Sequence, residues 1–240
     1  SDGYKRQIFD VNITPDRGYA LSARGLTREI ASAFDLTFTD PAADPQVAAV
    51  DTSQVHAAQE SLIDVTVDDS TRARRFGLAK VEGINPAAKA PFWMQRELML
   101  SGIRSVNAAT DVTNYVMLLL GQPMHAFDAD KISGNLHVRN ASAGEEFETL
   151  DHTKRTLLDS DVVITDDAGI QSLAGVMGGV TSEISDETVN VYFEAASWDE
   201  LTVAKTARHH KLSSEASRRF ERGVDPAIVE VALDVACALL

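Results

Sequence analysis

The chain has 240 residues, 44% hydrophobic and 24% charged, with one cysteine and a formal net charge of −14. That composition excludes disordered and low-complexity classes, and the lone Cys237 excludes a disulfide framework or a cysteine-rich metal site. The acidic balance argues against a free-standing nucleic-acid binder, which needs cations to neutralise phosphates.

Phe9-Asp-Val-Asn-Ile-Thr14 alternates apolar and polar residues, the period of a half-buried strand. Pro15-Asp-Arg-Gly18 is a turn, after which Leu26, Ile30, Ala33 and Phe34 share one face of a helix ending near Leu36. Residues 39–60 hold two prolines and many small residues, and mark a linker. The boundaries drawn are 1–45 for the first piece, 46–60 for the linker and 61–240 for the main body. Strands are expected at Ile63–Val67 and Phe76–Val81. A helix follows over Phe92–Ser101, stopped by Gly102, then a second from about Thr110 to Leu120, stopped by Gly121. Strands fall near Leu136–Arg139, Val162–Thr165 and Val189–Phe193, with a turn at Asp166–Gly169. Helices return at Asp199–His209, Glu215–Arg222 and from Pro226 onward, the last with Asp225 as its N-cap. Blocks of strands and helices, without strict alternation, give an α+β class: a mixed sheet with flanking helices, preceded by a small strand–helix piece. Ser1 and the uncapped Leu239-Leu240 end read as the ends of a segment cut from a longer chain.

No run approaches the roughly 18–20 apolar residues of a membrane-spanning helix. The first residues show no secretory-signal pattern, and a single thiol suits a reducing cytosol. No phosphate-binding glycine loop, nucleophile elbow or zinc motif is present, and of the six histidines only His209 and His210 adjoin. Asp111, Thr113 and Asn114 are polar residues within an apolar helix. They either line a pocket or, for Asp111, cap the helix, with Asn114 facing water. His125 follows Gly-Gln-Pro, a loop signal. Ala174-Gly-Val-Met-Gly-Gly179 is a small-residue loop that lets backbone approach a ligand or simply turns. Glu194 is an acid inside an apolar stretch, where it either points outward by alternation or needs a buried partner. The stretch from His209 to Arg222 concentrates positive charge, with Glu215 and Arg219 at helix-pair spacing. It suits either a solvated face or phosphate contacts.

Taken together, Asp111-Val-Thr-Asn-Tyr-Val116, Gly121-Gln-Pro-Met-His-Ala-Phe-Asp128, Ala174-Gly-Val-Met-Gly-Gly179, Phe193-Glu-Ala-Ala196 and Arg218-Arg-Phe-Glu-Arg-Gly-Val-Asp-Pro226 resemble, in order, the beta subunit of bacterial phenylalanyl-tRNA synthetases. Asp10–Arg17 and Ala23–Ile30 resemble the end of that subunit's N-terminal domain, although Asp16-Arg-Gly-Tyr19 departs from the family's turn. The resemblance implies that 61–240 is an editing module that hydrolyses tyrosine misattached to the phenylalanine tRNA. It implies that Glu194 accepts the tyrosine hydroxyl beside the Gly175 backbone, and that Gly178 and Ala216 keep the pocket open. Arg104, Thr113, Asn114 and His125 match residues around the ester and the tRNA terminus. Ser214 stands where relatives often carry threonine. The resemblance further implies a cytoplasmic α2β2 enzyme with an alpha subunit and tRNA as partners, free or ester-linked tyrosine as ligand, and no membrane contact. ATP and magnesium belong to the full synthetase, and no metal or cofactor to this segment. Water attack on an ester, positioned by hydrogen bonds, is the implied chemistry. A non-catalytic tRNA-docking or scaffolding module is the alternative.

Overall fold

A computed structural model describes residues 8–43 and 63–240. The expected linker at 46–60 lies outside the described residues.

The strands fall into three sheets. The first is mixed, in the order β1 (Val65–Val67), β4 (Leu136–Asn140), β7 (Val162–Thr165), β8 (Ile170–Leu173) and β9 (Met177–Gly178). Its β1–β4 pair is parallel and the remaining pairs are antiparallel. The second is antiparallel, with β10 (Asn190–Ser197) between β2 (Arg75–Glu82) and β3 (Met124–Asp128). The third is the ribbon of β5 (Glu146–Glu148) and β6 (Lys154–Thr156). The class is α+β as the block pattern implies, with strands spread over three sheets.

Six α-helices surround them: α1 (Ala23–Ala33), α2 (Phe92–Leu100), α3 (Ala108–Leu120), α4 (Glu200–His209), α5 (Glu215–Phe220) and α6 (Val229–Leu239). Each of four helix starts is fixed by a side chain that accepts a backbone N–H: Ser22 for α1, Asn107 for α3, Asp199 for α4 and Ser214 for α5. Asp225 caps the short 3₁₀ turn Pro226–Ile228 that leads into α6. Gly121 ends α3 with φ of 80°, a left-handed conformation that glycine adopts without strain. α6 packs on β2 and β10, and α3 on β3 and α6. The core between them includes Phe127, Phe193, Met94, Leu98, Val116 and Leu173, all fully buried.

Four expectations need correction. Residues 9–14 form no strand: Phe9 is 79% exposed, and alternation has no effect without a neighbouring strand to pair with. The first helix forms, but Ile30 and Phe34 on its apolar face are exposed. Gly25 and Ala31 are buried in their place, because this helix is seated by its small residues. His125 is on a strand, β3, and not in a loop. Asp111 does not cap α3, since Asn107 does; its buried carboxylate reaches back to accept the Val106 N–H at 2.8 Å.

Candidate active site

β10 is the middle strand of its sheet and is buried on both faces over nearly its whole length, so alternation does not turn Glu194 outward. Glu194 is 5% exposed. Its register partner on β3 is His125, which places the two side chains beside each other on one face of the sheet. Opposite them stand the β8–β9 hairpin and α5. Together these elements enclose a cleft of about 60 Å³, bordered by Met124, His125, Gly175, Met177, Gly178, Glu194, Ala216 and Phe220 among others.

Each wall has a local cause. The hairpin turns through Gly175 at φ of 70°, a conformation a larger residue holds only under strain. Among the described residues the Gly175 N–H donates to nothing, so it offers a free donor at the cleft. Gly178 lies flat against the His125 ring: a Cβ there would stand 2.2 Å from the ring's Cε1. The ring is held on another side by Phe127, edge to face at 4.5 Å. α5 carries Ala216 and Phe220 four residues apart, hence on one helical face, toward the cleft.

The electrostatics are those of a dry site. Burial alone pushes the Glu194 carboxyl up to about 8, and burial alone pushes His125 down to about 4. Both groups are therefore mostly neutral near pH 7. No hydrogen bond or ion pair engages the Glu194 carboxyl among the described residues, and His125 Nε2 is buried without a partner. Unpartnered polar atoms are costly in an interior. Here they converge on one small space, the arrangement of a ligand site. About 60 Å³ is well below the roughly 150 Å³ that encloses a benzene ring. A ring thus enters by displacing a wall, and the flexible thioethers of Met124 and Met177 are suited to yield.

The cleft gathers His125, Gly175, Gly178, Glu194 and Ala216 from the sequence-derived set. It does not include the other four. Arg104 is exposed and borders a separate surface groove with Phe92, Arg96 and Met99. Thr113 spends its hydroxyl on the Thr110 carbonyl of its own helix, at 2.8 Å. Asn114 is half-buried on α3 and does not border the cleft. Ser214 acts on architecture: its hydroxyl accepts the Ser217 N–H at 2.9 Å and donates to the Val176 carbonyl at 3.1 Å. Sequence reasoning missed the two methionines and Phe220. The last sits at i+4 from Ala216, a spacing readable once Ala216 is placed.

The solvated-face and phosphate-contact readings of the basic stretch also need correction. Arg219 is buried, and its guanidinium binds Glu215 at 2.6 Å and the Leu21 carbonyl at 3.1 Å. Arg222 donates to the Ile13 carbonyl at 3.1 Å. Of the charge that the sequence shows as a cluster, these two arginines are spent inside the fold, while Lys211 and Arg218 stay at the surface.

The model of the B3/4 domain family matches residues 72–240. Over 238 residues the chain is 74% identical to the phenylalanine–tRNA ligase beta subunit of Corynebacterium glutamicum, covering 99% of this chain and 28% of that protein. It is 72% identical to the corresponding subunit of Corynebacterium diphtheriae, with the same coverage. The chain thus spans little more than a quarter of the length of these curated relatives. Among solved structures, an N-terminal fragment of the phenylalanyl-tRNA synthetase beta subunit from Pyrococcus horikoshii is 17% identical and covers 82% of this chain and 59% of its own, with a TM-score of 0.46. At that score the likeness carries no argument.

Proposed function

The chain belongs to the B3/4 domain family, and from that premise we propose that its cleft hydrolyses tyrosine esterified to the phenylalanine tRNA, as the proofreading part of a phenylalanine–tRNA ligase beta subunit. The observation that carries this reading is Glu194: a buried carboxyl without a protein partner, beside a neutral His125 on the floor of a cleft that also presents a free N–H. A phenol both donates and accepts a hydrogen bond. A neutral carboxyl does the same, and the Gly175 N–H supplies one donor more. A phenylalanyl ring leaves these groups buried and unpaired, which is the strongest form of discrimination available to a binding site. Shape alone works poorly in the opposite direction, because a pocket built for phenylalanine barely rejects an added hydroxyl.

The inferred chemistry is attack of water on the aminoacyl ester, with the chain's residues binding and orienting. His125, held neutral, accepts a hydrogen bond at Nε2 and orients a water or ribose hydroxyl. With its basicity lowered to about 4 it is a poor proton abstractor near neutral pH. Arg104, Thr113 and Asn114 come into this reading through the resemblance alone, as residues nearer the tRNA terminus than the ring. Phenylalanine tRNA and an alpha subunit are the partners in this reading, ATP and magnesium serve the longer enzyme, and the setting is the cytoplasm. Among the described residues no helix is long and apolar enough to cross a membrane.

The test is deacylation. The full-length protein should release tyrosine from Tyr-tRNA and spare Phe-tRNA, and Glu194→Ala should narrow that preference ten- to a hundredfold. The magnitude is that of leaving a buried polar group unpaired, about 1–3 kcal/mol. Equal hydrolysis of both esters by the unmodified protein would remove the reading and leave the tRNA-docking alternative.

A further inference from the structure

One wall of the cleft is α5, which stands between two fixtures. At its start, the Ser214 hydroxyl pins the helix to the Val176 carbonyl of the hairpin, at 3.1 Å. Along its far flank the helix is tied to the N-terminal segment. Arg219 Nε donates to the Leu21 carbonyl, and Arg222 Nη1 donates to the Ile13 carbonyl, both at 3.1 Å. Arg219 Nη1 also donates to the Glu215 carboxylate at 2.6 Å and the Glu215 carbonyl at 3.0 Å. At 4% exposure this guanidinium cannot exchange those acceptors for water without moving the helix. The N-terminal segment presses just as closely in return: a Cβ on Gly18 would lie 2.7 Å from the Arg222 carbonyl oxygen. Arg219 therefore sits between Ala216 and Phe220 in sequence, but faces away from the cleft that those two residues border.

We propose that Arg219 is a positioning residue that sets the width of the cleft: by tying α5 to the N-terminal segment, it holds Ala216 and Phe220 close to Glu194 and His125 and limits the admitted ring to the size of a phenol. The proposal rests on the reading of the cleft as the site that receives the tyrosyl ring. The N-terminal segment, which contributes no residue to the cleft, thereby takes part in choosing the substrate. The Ser214 bond to the hairpin and the Arg222 bond to Ile13 remain, so loss of the Arg219 tie lets the wall relax without freeing the helix.

The test uses the full-length protein with Arg219→Met, Arg219→Lys and Gly18→Ala. Two tRNA esters, tyrosyl and the bulkier 2-naphthylalanyl, give kcat and KM, and calorimetry gives the affinity for the two free amino acids. A misplacement of about 1 Å costs up to about a hundredfold; movement of one wall is expected to raise KM for the tyrosyl ester about tenfold, with kcat changing less than about twofold. The naphthylalanyl-to-tyrosyl ratio should rise in Arg219→Met, and Arg219→Lys, which keeps the charge but not the fork, should fall between. Gly18→Ala crowds the Arg222 carbonyl at the neighbouring tie to the same segment and should shift the ratio; it decides the matter where Arg219→Met fails to fold. A folded Arg219→Met with an unchanged ratio overturns the proposal, as does an unchanged ratio in Gly18→Ala when the first variant does not fold. If the unmodified protein hydrolyses neither ester, the hydrolytic reading falls by itself, and the ratio of amino-acid affinities still decides whether Arg219 sets the width.

Discussion

Glu194→Gln keeps the shape of the side chain and removes its titration, so it isolates the energetics of the buried carboxyl. Burial raises that carboxyl from 4.5 to about 8. Between those pH values the folded chain holds a proton that the unfolded chain has released. The contribution of Glu194 to stability is therefore full below pH 4.5 and is lost as the pH rises toward 8. At about 1.36 kcal/mol per pH unit, the whole loss is on the order of 5 kcal/mol. His125 runs the other way: burial lowers it from 6.5 to about 4. The unfolded chain then binds a proton that the folded chain refuses, and stability is lost as the pH falls from 6.5 toward 4. Between pH 4.5 and 6.5 the two slopes oppose each other, and above 6.5 only the Glu194 slope remains. Urea denaturation followed by tryptophan fluorescence across this range reads the difference between the two proteins, in which contributions common to both cancel. Glu194→Gln is expected to gain on the unmodified chain by about 2 kcal/mol between pH 6.5 and 8. Parallel curves over that interval would refute the claim that Glu194 is buried without a partner.

Four further outcomes are expected. Gly178→Ala should abolish tyrosyl-ester hydrolysis while the protein stays folded by circular dichroism, because the new methyl occupies the place of the His125 ring. Asp161→Ala should cost about 3 kcal/mol or more in a urea titration. That carboxylate holds His210 at 2.7 Å, the Thr206 hydroxyl at 2.7 Å and the Leu158 N–H at 2.9 Å. Breaking the exposed Arg74–Glu200 pair by Arg74→Ala should cost under about 1 kcal/mol in the same assay. Filter binding of tRNA to the 240-residue chain across salt concentrations should give a log–log slope no steeper than about −1.4, since Arg219 and Arg222 are spent internally and Arg104 and Arg218 remain.

Much of the architecture is legible from local chemistry. α3 is announced by Gly121 at its end, and the turn that leads into α6 by Asp225 and Pro226. Local patterns fail where a partner distant in sequence decides. Phe9–Thr14 has the alternation of a strand but nothing pairs with it, whereas His125, after a loop-like Gly-Gln-Pro, becomes a strand because β10 lies alongside. Alternation gives no reason to turn Glu194 inward, since only the sheet's central position, with α6 against it, buries both faces of β10. The ordered motifs and the residues near them named five residues that the cleft brings together from four separate segments. They carried equally Arg104, Thr113, Asn114 and Ser214, which packing sends elsewhere, because a motif records that residues travel together and not what each touches. The basic stretch misleads for the same reason: whether an arginine meets solvent or a carbonyl some 200 residues earlier in the chain is a property of the tertiary fold.

The two sides of the cleft are built to different standards of permanence. Its floor is β10, eight residues laddered to strands on both edges. Its opposite wall includes α5, a six-residue helix, and a two-residue strand. Amide hydrogen exchange follows such differences, since a doubly paired central strand opens only with the whole domain and a short peripheral helix opens by itself. The amides around Glu194 should thus exchange at the rate of global unfolding, and those of α5 much sooner. The Glu194 carboxyl stays fixed in space while the wall opposite it breathes.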